Sequence, residues 1–235
     1  MKRSIIFFCL IAIYCCVFQS CNKFSEKGSG LLVTEIRDID SFSSIKVNVP
    51  ANIYLTNDQT KLKIETDDNL LDKIVTKTKN SKLSISANTE FKNFSELNIY
   101  IYTPLLSQLK INSHCSVFTE NLFHCNQLKI RSKGNQNLIL QLHCNNLDIK
   151  ATSKSSIRLI GQTENLKINI KDSVVIQAND FISLNTKVKM QGNCTINTNT
   201  IGHLSYKISG SGNIFYLNNP VLSGEKTKLN QVIKR

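Results

Sequence analysis

The most suggestive chemistry in the chain is a tripeptide that occurs twice. His124-Cys125-Asn126 and His143-Cys144-Asn145 lie 19 residues apart. Imidazole and thiolate are common zinc ligands, and four such groups would complete a tetrahedral site if they converged. Neighbouring residues on a strand point to opposite faces, however, so the two histidines and the two cysteines part company and no metal site is expected. A disulfide is allowed instead. On stacked strands ~4.8 Å apart, Cys125 and Cys144 fall within the Cα separation that a disulfide accepts. The alternative is a ladder of buried free thiols. Cys115 and Cys194 have no partner at matching spacing and read as core residues.

Cations recur with the same spacing. Lys110, Lys129, Asp148 and Lys167 form one expected outward column. Asn112, Arg131, Lys150, Asn169, Lys187 and Lys207 form a second, and His114, Lys133, Thr152, Lys171 and Lys189 a third. One face would therefore be strongly basic, carried by Lys110, Lys129, Arg131, Lys133, Lys150, Lys167, Lys171, Lys187 and Lys207. Like charges at strand spacing repel unless an anion or salt screens them. A docking face for acidic polysaccharide or envelope phosphates is one reading. A solvated lysine face that discourages lateral aggregation is the other. Only Tyr206 interleaves with the cations, so base stacking and nucleic-acid binding are not supported.

Catalysis has little to build on. Carbohydrate-active sites need clustered carboxylates in a cleft made by long loops, and Asp148, Asp172 and Asp180 do not share a column. There is no Gly-x-Ser-x-Gly frame, no phosphate-binding loop and no cofactor motif. Gly210-Ser-Gly-Asn213 reads as a turn that needs small residues.

The elements that must position these groups follow from an internal repeat. Leu109-Lys-Ile111, Leu128-Lys-Ile130, Leu147-Asp-Ile149 and Leu166-Lys-Ile168 recur at intervals of 19 residues. Looser copies begin at Leu184, after 18 residues, and at Leu204, after 20. A unit of this length holds two or three short strands and no helical crossover. In-out alternation within each copy fits strands with one buried face. The expected fold is all-β: a parallel β-helix with one ~19-residue rung per copy, regular over residues 105–220. Residues 35–104 supply alternating strands that cap or begin it. Asp67-Asp68-Asn69 opens a short helical turn, and Lys79-Asn80-Ser81-Lys82 is a hairpin turn.

The N-terminus belongs to export. Lys2 and Arg3 precede an apolar run from Ile5 to Phe18 that is too short to span a bilayer. It closes on Ser20-Cys21, which looks like a bacterial lipoprotein signal: residues 1–20 are removed and Cys21 is acylated, with 21–34 a flexible tether. An ordinary secretory signal cleaved nearby is the alternative. The chain carries 29 Lys+Arg against 17 Asp+Glu, for a net charge of +12. Loss of Lys2 and Arg3 leaves +10, so the basic character belongs to the exported part. Residues 221–235 form a basic tail. A hydrophobic share of 41% with mean hydropathy −0.14 excludes a multispan membrane protein. The 27 asparagines favour polar turns between short strands over helices.

Ile45-Lys-Val47, Ala51-Asn-Ile53-Tyr-Leu55, Lys63-Ile-Glu65 and Asn69-Leu-Leu-Asp-Lys-Ile74 follow one another in a familiar order, then Leu83-Ser-Ile85, Asn98-Ile-Tyr-Ile-Tyr-Thr-Pro104 and Ser209-Gly-Ser-Gly-Asn213. The series resembles the putative auto-transporter adhesin, head GIN domain family of exported bacterial lipoproteins, across residues 35–220. The family repeats Ser-Gly-Ser-Gly at several turns. Here only 209–212 is intact, with Gly134-Asn135 and Gly192-Asn193 as remnants. The resemblance implies a right-handed β-helix and an outer-membrane lipoprotein, on the periplasmic or the surface side. The expected role is non-catalytic: an adhesin or glycan-binding module, partnered by the membrane through its lipid and by an acidic glycan or other envelope polymer. A periplasmic scaffold for a protein partner is the alternative, and a carbohydrate-active enzyme stands behind both.

Overall fold

The computed structural model describes residues 25–235. The expected signal segment 1–20 and the expected acylation site Cys21 lie outside the described residues. The fold is a parallel β-solenoid of about seven turns, and none of the described helices is long and apolar enough to cross a membrane. Its first face stacks Gln108–Ile111 beneath residues 127–133, 146–152, 165–172, 185–192 and 203–210, ending at Val221–Glu225. Its second face stacks Cys115–Thr119 beneath 136–140, 155–158, 175–178 and 195–199, then Asn213–Leu217 and Val232–Lys234. A shorter third face runs through residues 123–125, 142–144, 161–163 and 181–183.

Stacking gives each inward residue a like neighbour above and below. Leu83, Ile45, Leu109, Ile130, Ile149, Ile168 and Val188 form one such column. Ile99, Ile53, Val117, Leu138, Ile157, Ile176, Ile196 and Ile214 form another. Every residue of both is buried. β-Branched and Leu side chains suit this pleated, close-packed interior, and removing one leaves a cavity that the neighbouring rungs cannot collapse into.

The registers correct the expected columns. Leu109 stacks on Ile130, a step of 21 residues, and not on Leu128. The chain spends two extra residues between Phe118 and Phe123, where the next rung goes from Ile139 to Leu142. Later, one extra residue near Ala178–Asp180 makes Leu166 stack on Thr186. Thr186 is buried and Leu184 is exposed, so the looser copy does not start at Leu184. Thr186 is tolerated inside because Ser183, Thr198 and Thr200 join it in a buried hydroxyl network, with Thr186 Oγ1 2.7 Å from Thr200 Oγ1.

The first half supplies both rungs and a cap. Ser44–Val47 and Ala51–Thr56 form a rung, as do Lys82–Ala87 and Asn98–Tyr102. Their order is not sequential: the 44–56 rung lies between 82–102 on one side and 108–119 on the other. The cap proper is antiparallel. Lys61–Asp67 and Ile74–Lys79 pair with the end rung, and Leu32–Arg37 pairs with Lys61–Asp67. The short helix Asp68–Leu71 and the hairpin turn fall where the sequence puts them. Asn80 and Ser81 both adopt positive φ there, as a two-residue hairpin requires.

Two boundaries also move. Within the proposed tether, Ser25–Lys27 pairs with Glu90–Lys92, and Leu32 already lies in a strand. Asn69 Nδ2 donates to Lys27 O at 2.8 Å, and Ser29 N to Asn69 Oδ1 at 2.9 Å, which docks the segment. The tail is the last rung: Val221–Glu225 and Val232–Lys234 continue both faces.

Candidate anion-binding face

The first face turns alternate side chains outward, and the registers decide which cations share a column. Lys46, Lys110, Arg131, Lys150, Asn169, Lys189 and Lys207 are stacked in order. Beside them run Gln108, Lys129, Asp148, Lys167 and Lys187. On the other flank Lys133 stacks with Thr152, and Lys171 with Gln191.

This assembles all nine expected cations on one face but redistributes them. Lys110 joins Arg131 rather than Lys129, because of the 21-residue step. Lys187 moves to the Asp148 column and Lys189 takes its place, because of the extra residue near Ala178–Asp180. Asn112 leaves the central column and hydrogen-bonds to Asn48 at 2.8 Å. His114 lies away from the face, beside Pro50, Asn52, Glu96 and Ser116. Lys46 was missed, since 64 residues separate it from Lys110. The in-out-in pattern of Ile45-Lys46-Val47 was the available signal.

Acids on this face are few and engaged. Asp148 Oδ1 accepts from Arg131 Nη1 at 3.0 Å, and the same nitrogen donates to the carbonyls of Ile130 and Asp148 at 2.9 Å. That pins the guanidinium against the sheet. Glu225 pairs with Lys207 at 2.9 Å at the far end. Neighbouring unscreened charges ~4.8 Å apart repel by about 1 kcal/mol in water, so an anion set between rungs relieves several repulsions at once.

A shallow groove of about 730 Å³ runs along the ladder, lined by Lys110, Asn112, Arg131, Lys133, Lys150 and Thr152. Its rim turns through Gly134 and Ser153, both at positive φ. A more enclosed cavity of about 410 Å³ lies near the cap between Asn48, Pro50, Asn88 and Phe91, with Glu90 as its one charged residue.

The His-Cys repeats behave as strand geometry requires. His124 and His143 stack outside with ring centroids 5.4 Å apart, and Gln162 Nε2 lies 3.1 Å from His143 Nε2. Cys125 and Cys144 are in register on the opposite side, both as free thiols. Cys125 holds its proton toward Cys144, which raises its own pKa and lowers that of Cys144. Among the described residues, no three His, Cys, Asp or Glu side chains gather to hold a metal. Burial pushes the Cys115 thiol up to about 11 and raises that of Cys194. The remaining carboxylates are dispersed: Asp180 pairs with Arg158 at 3.1 Å, and Asp172 Oδ2 accepts from Ser153 N at 3.1 Å.

A model of the family described as putative auto-transporter adhesin, head GIN domain, matches residues 41–220. Among solved structures, the chain is similar to a putative adhesin from Bacteroides fragilis, at 24% identity and TM-score 0.85, covering 89% of this chain and 100% of the other. It is also similar to a putative adhesin from Parabacteroides merdae, at 19% identity and TM-score 0.72, covering 90% and 99%. A putative lipid binding protein from Parabacteroides distasonis matches at 20% identity and TM-score 0.75, covering 90% and 100%. At such identities the likeness carries the fold alone. No curated protein matches the chain.

Proposed function

The chain belongs to the putative auto-transporter adhesin, head GIN domain family, and on that premise we propose that it is an exported envelope protein that binds an acidic polymer through the basic face. One observation carries this reading: six cations, Lys46, Lys110, Arg131, Lys150, Lys189 and Lys207, stand in register in a single column. Solubility or protection against aggregation is served by scattered charge and gains nothing from a column in which neighbouring lysines repel. Binding to a partner of repeating negative charge turns that cost into affinity.

In this reading Cys21 is acylated and holds the protein on the outer membrane, while the solenoid works without catalysis. The dispersal of Asp148, Asp172 and Asp180 supports the second half of that statement. The neighbour named a putative lipid binding protein raises the thought of an acyl ligand. Here the interior columns are filled by Leu, Ile and Val, so a lipid would meet the protein through its phosphate, on the same basic face.

The test is retention on a polyanionic matrix. The wild-type protein should elute only at raised salt, and the triple variant Arg131→Glu, Lys150→Glu, Lys189→Glu should pass at low salt while keeping its strand circular dichroism. Equal retention of the two would sink the proposal.

A further inference from the structure

Taking the basic face as a binding site, as proposed above, we infer that its ligand is a linear acidic polysaccharide with a carboxylate on every sugar, lying along the solenoid axis with one sugar per rung. The ladder is one-dimensional. Lys46, Lys110, Arg131 and Lys150 present one central cation on each of four consecutive rungs, and rungs repeat every ~4.8 Å. A pyranose chain advances by close to that distance per residue, so a polyuronate carries negative charge at the same axial spacing as the protein's cations, its glycosidic twist turning some carboxylates directly onto the ladder and others to its flanks.

The uncharged positions fit the same ligand. Asn169 interrupts the column between Lys150 and Lys189, and Asn112, Thr152 and Ser153 border the groove. Amides and hydroxyls there can exchange hydrogen bonds with sugar hydroxyls, which a polyphosphate lacks.

A membrane surface fits less well. Interfacial docking combines basic residues with apolar ones that enter the headgroup region. The exposed apolar side chains Leu122, Val175, Ile182, Leu184 and Ile201 lie on the second and third faces or at corners, while Val221 and Leu222 share the first face with the lysines at its last rung alone.

The experiment is calorimetric titration at low salt of the purified protein with oligogalacturonates of two to ten sugars, alongside maltohexaose, polyphosphate and phosphatidylglycerol vesicles. Affinity should tighten with each added sugar until about seven, the run from Lys46 to Lys207, and then level off. Lys110→Glu should weaken the hexamer at least tenfold and the dimer far less. Lys228→Glu, placed off the ladder, should leave both unchanged. Affinity independent of length, or tighter binding of polyphosphate or vesicles, would overturn the polyuronate assignment while leaving the basic face as a binding site. No binding to any of the three polyanions would overturn both.

Discussion

Gly134 and Gly161 form a matched pair for testing how closely the rungs approach. Their backbones are nearly identical, with φ of +115° and +116°. Placing any L side chain in that region costs ~1–3 kcal/mol, and both Ala substitutions incur it. They differ in what the new methyl meets. At Gly134 the nearest atom is the amide nitrogen of the Gln136 side chain at 3.1 Å, buried and hydrogen-bonded to Ser113 O and Lys133 O, which has to give by only a few tenths of an ångström. At Gly161 it is the backbone carbonyl oxygen of Leu142 at 2.1 Å, held in the ladder of the rung beneath. The rungs can part there only by breaking pairing on the third face, where Gly161 lies between Leu142 and Phe181. Overpacking of this kind adds ~1–3 kcal/mol. Urea denaturation followed by circular dichroism should therefore show Gly134→Ala modestly destabilised and Gly161→Ala destabilised by a further 1–3 kcal/mol, on the same overpacking estimate. Equal losses for the two variants would refute the view that backbone-to-backbone proximity dictates glycine at 161.

Under oxidising conditions Cys125 and Cys144 should form a disulfide. It closes a loop of about 20 residues, which the chain-entropy estimate values at ~3 kcal/mol. Mass spectrometry and a reductant-sensitive denaturation midpoint check this, and Cys125→Ser should abolish both signals. Asp148→Asn removes the acid in the middle of the basic face, so polyanion affinity should rise by a fewfold at low salt, with the gain vanishing as salt increases. The buried Cys115 thiol keeps its proton until about pH 11, while in the unfolded chain it ionises near its ordinary value of 9.0. Its contribution to stability is therefore intact below pH 9 and is lost as pH rises to 11. The difference between wild type and Cys115→Ala in denaturation midpoint should change across that window and not below it.

Strand type and the in-out alternation were legible because alternation and repetition are local properties of the sequence. Leu147-Asp-Ile149 and Leu166-Lys-Ile168 announce both the face and the step to the next rung. Which cations share a column was less legible, because it depends on the exact number of residues in each circuit. Glu120 and Asn121 look like any polar turn, yet the extra length there moves Lys110 from Lys129 to Arg131. Lys46 was hidden for a different reason. Its rung is wedged between two that come later in the chain, and no periodicity can report a neighbour reached out of order. The docked segment 25–34 and the last rung 221–235 read as tails because each is held by backbone pairing and by single amide side chains, Asn69 and Asn230, which leave little trace in the apolar pattern.

That wedged rung also gives assembly a direction. A chain emerging N-terminus first produces residues 44–56 before either of the rungs that flank them. The next 46 residues, ending at Tyr102, build one side and seal it with antiparallel strands, which leave no parallel edge to extend. From Gln108 onward, growth can proceed only away from the sealed end, each circuit finding its template already in place. On this topology an emerging chain would add its circuits in one direction only, as a ratchet does. A duplicated circuit inserted in the middle would extend the ruler by one notch without disturbing its origin.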